Sequence, residues 1–130
     1  LMTNDVYASC SQVQYVNSIR SINPDVLLNA NSIILNACYL FASPNLEIDD
    51  LATDVNALLK ANENVPRFLL FQNAVDPSKN IKYEKFKKKL LTHDILLTDT
   101  LTILYNNQPS SYKPKNETVY FEVLKFKDEN

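Results

Sequence analysis

Five lysines lie within eight residues at the start of the stretch KYEKFKKKLLTHDILL, which runs from Lys82 to Leu97. Ammonium groups at this density can neutralise the phosphates of a nucleic-acid backbone. Base edges are read mainly by Arg, Asn and Gln, and none of these occurs between Tyr83 and Leu91. The stretch therefore indicates either phosphate binding without sequence preference or a helix with a solvated, basic back.

The charge of the whole chain argues against a dedicated nucleic-acid domain. Its formal net charge is −2 and its pI is about 5.3, whereas such domains usually carry a basic excess. A solvated helix face is the favoured interpretation of the lysines. Phosphate binding is the alternative, and it would use these candidate contacts: Lys85, Lys88, Lys89, Lys113 and Lys115.

The complete lack of glycine limits the chemistry that the chain can carry out. A P-loop, a dinucleotide fingerprint and the nucleophile elbow of hydrolases each need a backbone that approaches the ligand closely or adopts positive φ. None of these motifs can be present. Nucleotide chemistry is therefore not expected.

The remaining reactive side chains favour structural roles over catalysis. His93 is the only histidine, and its neighbours indicate a helix end, where it would complement the helix dipole. Asp49 and Asp50 open a helix-like segment, where Asp is favoured as a cap or first-turn residue. Cys10 and Cys38 lie in no metal-binding motif and fit two reduced, buried thiols. We expect no enzymatic activity, no cofactor and no metal.

The elements that position these residues are separated by turns of Asn, Asp and Pro. The pattern predicts a loose opening helix, a well-patterned second helix capped by Asn23, a minimal strand, a third helix, an apolar run that favours helix over strand, a fourth helix and two strands. Their bounds, in the same order, are 5–22, 24–41, 46–48, 50–62, 67–75, 82–91, 100–105 and 118–126.

The fourth helix is predicted to be amphipathic. Tyr83, Phe86 and Leu90 fall on one side of a helix that turns about 100° per residue, and most of the lysines fall on the opposite side. The apolar side should therefore pack on the core. No apolar run in the chain approaches the roughly 20 residues of a membrane span, so no membrane association is expected.

The order of elements predicts an α+β fold of the winged-helix type. The helical core would be followed by a C-terminal β-hairpin whose long loop, residues 106–117, forms the wing. A chain of 130 residues fits one domain. We expect residues 1–130 to form that single domain, with residues 1–23 as an extra N-terminal helical extension and residues 24–130 as the winged-helix core.

The stretches SIILNACYLF, LEIDDLATDVNALL and YEKFKKKLLTHDILL, together with a hairpin ending in TVYFEVLKF, carry a resemblance to a known family. Over roughly residues 26–126 the chain resembles the C-terminal winged-helix domain of origin-recognition and replication-initiator ATPases, most of all the branch that silences heterochromatin in budding yeast. The resemblance implies a non-enzymatic domain of a nuclear chromatin protein. It also implies self-association, with other silencing proteins as partners of the parent chain.

Self-association has support in the residues themselves. The side chains of FLLF, residues 68–71, cannot all point inward from one short element, so some of them need a partner surface. The last strand is apolar on both faces, and either the opening helix or a second copy of the chain could cover the excess. The candidate interface residues are Phe68, Leu69, Phe71, Leu101 and Ile103.

Overall fold

The computed structural model describes residues 15–105 and 115–128, and within them the chain forms two α-helices and four β-strands. The strands form a single sheet in the order β1-β2-β4-β3. The α+β class is therefore confirmed. In chain order the elements are β1 (Ile33–Cys38), α1 (Ile48–Lys60), β2 (Arg67–Ala74), α2 (Ile81–Lys89), β3 (His93–Tyr105) and β4 (Lys115–Phe126).

The sheet joins a parallel unit to a hairpin. Strand β1 runs parallel to β2, and α1 forms the crossover between them. Strand β4 runs antiparallel to β2 on one side and to β3 on the other. The pairing of β2 with β4 ends at Ala74 and Val119, whereas β3 and β4 pair onward to Tyr105 and Lys115. The hairpin therefore extends beyond the rest of the sheet.

Both α-helices lie close to helices that the sequence predicts, at 50–62 and 82–91. Asp49 and Asp50 lie in the first turn of α1, where their charge favours the helix dipole, and Lys60 lies in its last turn. The apolar stripe of α1 is buried, as is the Tyr83 and Phe86 side of α2. The buried residues of α1 are Ala52, Val55, Leu58 and Leu59.

The core lies between the two helices and one face of the sheet, and aromatic rings fill its centre. The ring of Tyr83 stacks on that of Phe71, with 3.5 Å between the centroids. The ring of Phe41 packs edge-on against both of them, and the centroid of the Phe86 ring lies 4.9 Å from that of Phe41. Such aromatic pairs add stability beyond the area that they bury.

The helix predicted over 24–41 is wrong except at its start. Asn23 caps a short 3-10 helix, Pro24–Leu27, and accepts a hydrogen bond from the backbone N–H of Asp25. The chain then forms β1 and a 3-10 turn, Leu40–Ala42. The error has a physical reason: apolar residues four positions apart share a face in a strand as well as in a helix.

Three further element predictions need correction. The apolar run at 67–75, for which helix was favoured, is strand β2. The minimal strand at 46–48 does not form, because α1 begins at Ile48. The opening helix lies partly outside the described residues, and within them the chain forms only a 3-10 turn, Ile19–Ser21. The three-helix core of a winged helix is therefore not confirmed.

Tyr39 makes a turn that glycine would normally make. Its φ of 56° lies in the left-handed region, and no other described residue has a positive φ. That conformation costs a non-glycine residue roughly 1 kcal/mol or more. Two hydrogen bonds hold it: the Tyr39 N–H donates to the Gln72 carbonyl over 2.9 Å, and the Tyr39 hydroxyl donates to Glu117 Oε1 over 3.0 Å. The turn is thereby fixed to both β2 and β4.

Arg67 ties three elements together from inside the protein. Its side chain is buried, and its guanidinium donates to the Leu59 carbonyl near the end of α1 over 2.6 Å and to the Lys127 carbonyl beyond β4 over 2.9 Å. Carbonyls in the last turn of a helix have no partner within the helix. Arg67 supplies that partner and holds α1 against the sheet.

We expect Arg67→Met to lower the free energy of unfolding by about 2 kcal/mol, because it leaves buried carbonyl groups without donors. Urea unfolding followed by circular dichroism measures the change. Arg20→Met is the matched control, since Arg20 is exposed and makes a surface ion pair with Asp54 at 2.9 Å. An equal effect of the two substitutions would contradict this role of Arg67.

Candidate protein-interaction surface

The two faces of the sheet differ because side chains alternate along each strand. On β2 the residues Arg67, Leu69, Phe71 and Asn73 are buried against the helices. The residues between them point to the opposite face and are only partly buried. Both α-helices pack on the first face, so the second is left uncovered by them. We call the second face the open face.

The open face carries apolar residues on all four strands, with Asn36, Gln72 and Asp99 among them. Ile34 on β1, Leu97 on β3 and Leu101 on β3 are 59%, 48% and 53% exposed. A shallow depression of about 290 Å³ runs across the middle of the face. Its open-face lining includes Asn36, Leu70, Leu101, Ile103, Phe121 and Val123.

Between Leu97 and Ile103, strand β3 carries its apolar residues on the open face, with Asp99 between them. Thr98, Thr100 and Thr102 pair with β4 residues of the helix-covered face, whereas Leu97, Leu101 and Ile103 lie on the open face. A half-buried strand normally turns its apolar residues towards the covered face. The apolar side of β3 is instead the side that neither helix covers. This inversion leaves Leu97 and Leu101 about half exposed on the open face.

The predicted interface residues divide between the two faces. Phe68, Leu101 and Ile103 all lie on the open face, but Phe68 is level with Lys125 at one end, whereas Leu101 and Ile103 are level with Val119 and Glu117 towards the other. The prediction is wrong for Leu69 and Phe71, which are 2% and 1% exposed and belong to the core. Adjacent residues of a strand point to opposite faces, so no contiguous run of β2 can form one surface.

Three of the five lysines of α2 make polar contacts within the chain. Lys82 donates to the carbonyls of Ser43 and Pro44, Lys87 pairs with Glu122 at 3.0 Å, and Lys89 pairs with Asp49 at 2.7 Å. Among the described residues, only Lys85 and Lys88 of this helix are exposed with no ion pair recorded. The helix that carries them packs its other side on the core.

The structure describes some of the other residues that the sequence analysis considered for binding or chemistry. Lys113 lies outside the described residues, and only the backbone of Lys115 is described, at the start of β4. His93 begins β3 instead of ending a helix, and its Nδ1 lies 2.8 Å from the Leu91 carbonyl. Cys38 is exposed at the end of β1, so the prediction of a buried thiol is wrong for it.

A buried carboxylate that the sequence analysis did not single out joins α2 to the sheet. Glu122 on β4 is 2% exposed and accepts hydrogen bonds from the hydroxyl of Tyr83 at 2.5 Å and from Nζ of Lys87 at 3.0 Å. Thr98 and Tyr120 donate to its other oxygen, at 2.8 and 3.3 Å. The sequence did contain a signal for its burial: at two-residue spacing, Glu122 shares the helix-covered face of β4 with Tyr120 and Leu124.

The donors around Glu122 decide its protonation state. Burial alone would raise the pKa of Glu122, but the hydrogen bonds from Tyr83, Lys87 and Thr98 outweigh burial and hold the pKa below its ordinary value of 4.5. Burial and the neighbouring Glu122 raise the pKa of the Tyr83 hydroxyl, so this group stays protonated as a donor. The cluster is therefore a charged pair with saturated hydrogen bonds, which is typical of a structural joint.

No group of three or more His, Cys, Asp and Glu residues that could hold a metal ion occurs within 15–105 and 115–128. No helix in that part of the chain is long and apolar enough to cross a membrane. No protein-family model matches the chain, and no curated protein is significantly similar to it in sequence.

We expect Glu122→Gln to lower the free energy of unfolding at neutral pH by about 3 kcal/mol, because it leaves Lys87 without its buried partner. Because folding lowers the pKa of Glu122, its charge stabilises the protein above pH 4.5, and this contribution is lost as the pH falls through the lower, folded-state pKa. The difference between the variant and the wild type should therefore shrink below pH 4.5.

Urea unfolding over a pH series measures this difference. Glu63→Gln, in the loop before β2, is the control and should change stability little at any pH. A Glu122→Gln deficit that stays constant from neutral to acidic pH would show that the charge of Glu122 is not what stabilises the joint.

Proposed function

We propose that this chain is a non-enzymatic protein-interaction module that forms homodimers through its open face. The inverted pattern of β3 is the observation that carries the proposal, since it places Leu97, Leu101 and Ile103 where neither α-helix reaches them. Burial of exposed apolar side chains is the main favourable term in protein association. A partner that covers this face would supply that burial.

The size of the open face suits a partner of the same kind. Four strands about 4.8 Å apart, over the seven residues from Phe68 to Ala74, span a flat area of about 400 Å². Apolar patches of this size on a monomer are often functional. Two such sheets can pack face to face at about 10 Å, with their apolar side chains interdigitated. A second copy of this chain therefore offers a matching surface.

The same area predicts a dimer of modest affinity. Two faces of about 400 Å² bury about 800 Å² before the corrugation of the side chains is counted, which is below the roughly 1,200 Å² of stable specific interfaces and in the range of weak, transient ones. We expect dissociation at low micromolar concentration or above. A parent protein that concentrates the module on a scaffold would favour its association.

We further propose, from the sequence resemblance alone, that the module belongs to a nuclear protein that silences chromatin. The resemblance is to a winged-helix domain. The long C-terminal hairpin of β3 and β4 is the element that this chain has in common with such a domain. Imaging of the tagged chain, with chromatin immunoprecipitation of the parent protein, tests location and role. Exclusion from the nucleus would overturn this part of the proposal and leave the dimer unaffected.

We expect Leu101→Glu to shift the chain from dimer to monomer, because it places a charge within the apolar contact. Sedimentation equilibrium over a concentration series up to hundreds of micromolar measures the effect. Ile81→Glu is the matched control: Ile81 is also an aliphatic residue with 53% exposure, but it lies at the start of α2. The control should dimerise as the wild type does.

Two results would overturn the proposal. One is a wild-type chain that stays monomeric at every concentration. The other is a dimer that Leu101→Glu and Ile81→Glu weaken equally. Circular dichroism of both variants establishes that the fold is retained, which is expected because both side chains already contact water.

Duplex binding by α2 is the second candidate function, and the exposed Lys85 and Lys88, one turn apart, favour it. Phosphate contacts by two lysines would give weak, strongly salt-dependent affinity. We expect the double variant Lys85→Glu, Lys88→Glu to leave dimerisation unchanged and to alter duplex binding little at physiological salt. Fluorescence anisotropy with a labelled duplex checks this. A salt-sensitive affinity that the variant loses would favour the nucleic-acid function.

A further inference from the structure

Strand β1 lies at one edge of the sheet, and among the described residues no strand pairs with its outer side. The N–H of Ile33 donates to the Pro66 carbonyl, and the N–H of Tyr39 donates to the Gln72 carbonyl, both over 2.9 Å. The backbone polar groups of consecutive strand residues point to opposite edges, so every second residue of β1 bonds to β2. The N–H and C=O groups of the residues between them point outward. These residues are Ile34, Asn36 and Cys38.

The two edges of the sheet differ in how they are protected against a further strand. Edge strands are commonly protected by charged residues, by proline or by bulges. Strand β3, at the other edge, carries Asp94 and Asp99 and a break in register between Ile95 and Leu97. Strand β1 has the sequence IILNAC, without a charge or a proline, and its pairing with β2 is regular. It is therefore the edge that can accept another strand.

An apolar pocket of about 120 Å³ lies beside this edge, between β1, α1 and the 3-10 turns Ile19–Ser21 and Leu40–Ala42. We call it the edge pocket. Its apolar lining residues that still contact water are Ile19, Leu35, Leu40 and Leu51, and no described lining residue is charged. Apolar cavities of roughly 150 Å³ bind molecules the size of benzene. The edge pocket therefore has room for one leucine-sized side chain.

We propose that an extended segment of a partner protein adds to β1 as a fifth strand of the sheet and inserts one leucine-sized side chain into the edge pocket. The outward groups of β1 hydrogen-bond to the backbone of the segment, and the pocket selects among segments by side chain. Side chains of an added strand alternate between the faces. One of them therefore lies on the helix-covered side, next to Leu35 or Ala37, where the pocket is.

A second copy of this chain fits the site less well than a separate segment does. The β1 strand of the copy turns Leu35 and Ala37 to the helix-covered side, and both of them pack on the core of that copy. A strand that keeps those contacts has no side chain left for the pocket of its neighbour. The partner segment must therefore be free of core contacts before it binds, and its site is separate from the proposed homodimer contact.

A designed peptide tests the site. The probe has seven residues of alternating threonine and valine with leucine at the centre, and one lysine at each end; the control peptide has aspartate in place of the leucine. NMR titration of the full chain measures both affinities and amide hydrogen exchange. With the probe at about ten times its Kd, exchange at Ile34, Asn36 and Cys38 should slow on the order of tenfold. The control peptide should bind at least about tenfold more weakly, because its charge would enter an apolar pocket.

Three variants of the chain separate this site from the open face. Leu40→Glu places a carboxylate at the pocket and should weaken probe binding about tenfold while dimerisation is unchanged. Leu40 is 39% exposed, so we expect the fold to be retained, which circular dichroism checks. Leu101→Glu should do the reverse, with the dimer lost and probe binding kept. Ile81→Glu, outside both contacts, should change neither.

The inference is wrong if the wild-type chain binds neither peptide, if it binds both equally, or if slowed exchange is confined to residues outside β1. It is also wrong if Leu40→Glu binds the probe as Ile81→Glu does. If Leu40→Glu instead abolishes self-association of the chain, a second copy occupies the site in place of a partner segment. A chain that binds the probe but does not dimerise would overturn the proposed homodimer and leave this site standing.

Discussion

Tyr83 is the side chain on which the arrangement of this fold depends most. Its ring stacks on Phe71 of β2 at 3.5 Å, and its hydroxyl donates to the buried carboxylate of Glu122 on β4. One residue of α2 therefore fixes that helix to the two central strands by an apolar contact and a charged hydrogen bond together. Because a buried carboxylate is costly without donors, this joint specifies which face of the sheet the helix must cover.

The open face is a consequence of that joint and of α1. Arg67 holds the end of α1 to the same side of the sheet, so both helices are committed to one face. Nothing in those contacts requires the opposite face to be apolar. An exposed sheet face in a monomer can be polar at no cost to the core, as antiparallel sheets commonly are. The contacts that hold the two helices therefore do not account for the apolar residues there, which are the basis of the proposed dimer.

Secondary structure was predicted correctly from the sequence where the spacing of apolar residues fitted only a helix or only a strand. The stripe of Tyr83 and Phe86 and the Asp-rich start of α1 match the helix repeat, and the β-branched hairpin strands match no helix. Strands β1 and β2 were read as helices because short apolar runs satisfy both periods. The same misreading merged the two faces of β2 into one predicted surface, so that Phe68 was placed correctly and Phe71 was not. Pairing partners, which separate those faces, are not encoded locally.

The chain has no glycine, and this lack puts a tyrosine at the turn after β1. Without glycine the turn after β1 is made by Tyr39, a residue whose hydroxyl reaches over β2 to Glu117 on β4. A strained backbone persists only where the surrounding contacts determine it. The hydrogen bond to Glu117 is one of those contacts, so the position of the Glu117 carboxylate is coupled to the turn. At the other end of the open face, strand pairing sets Lys125 opposite Asp94, which also pairs with Lys127 at 3.2 Å, so that end carries both signs of charge.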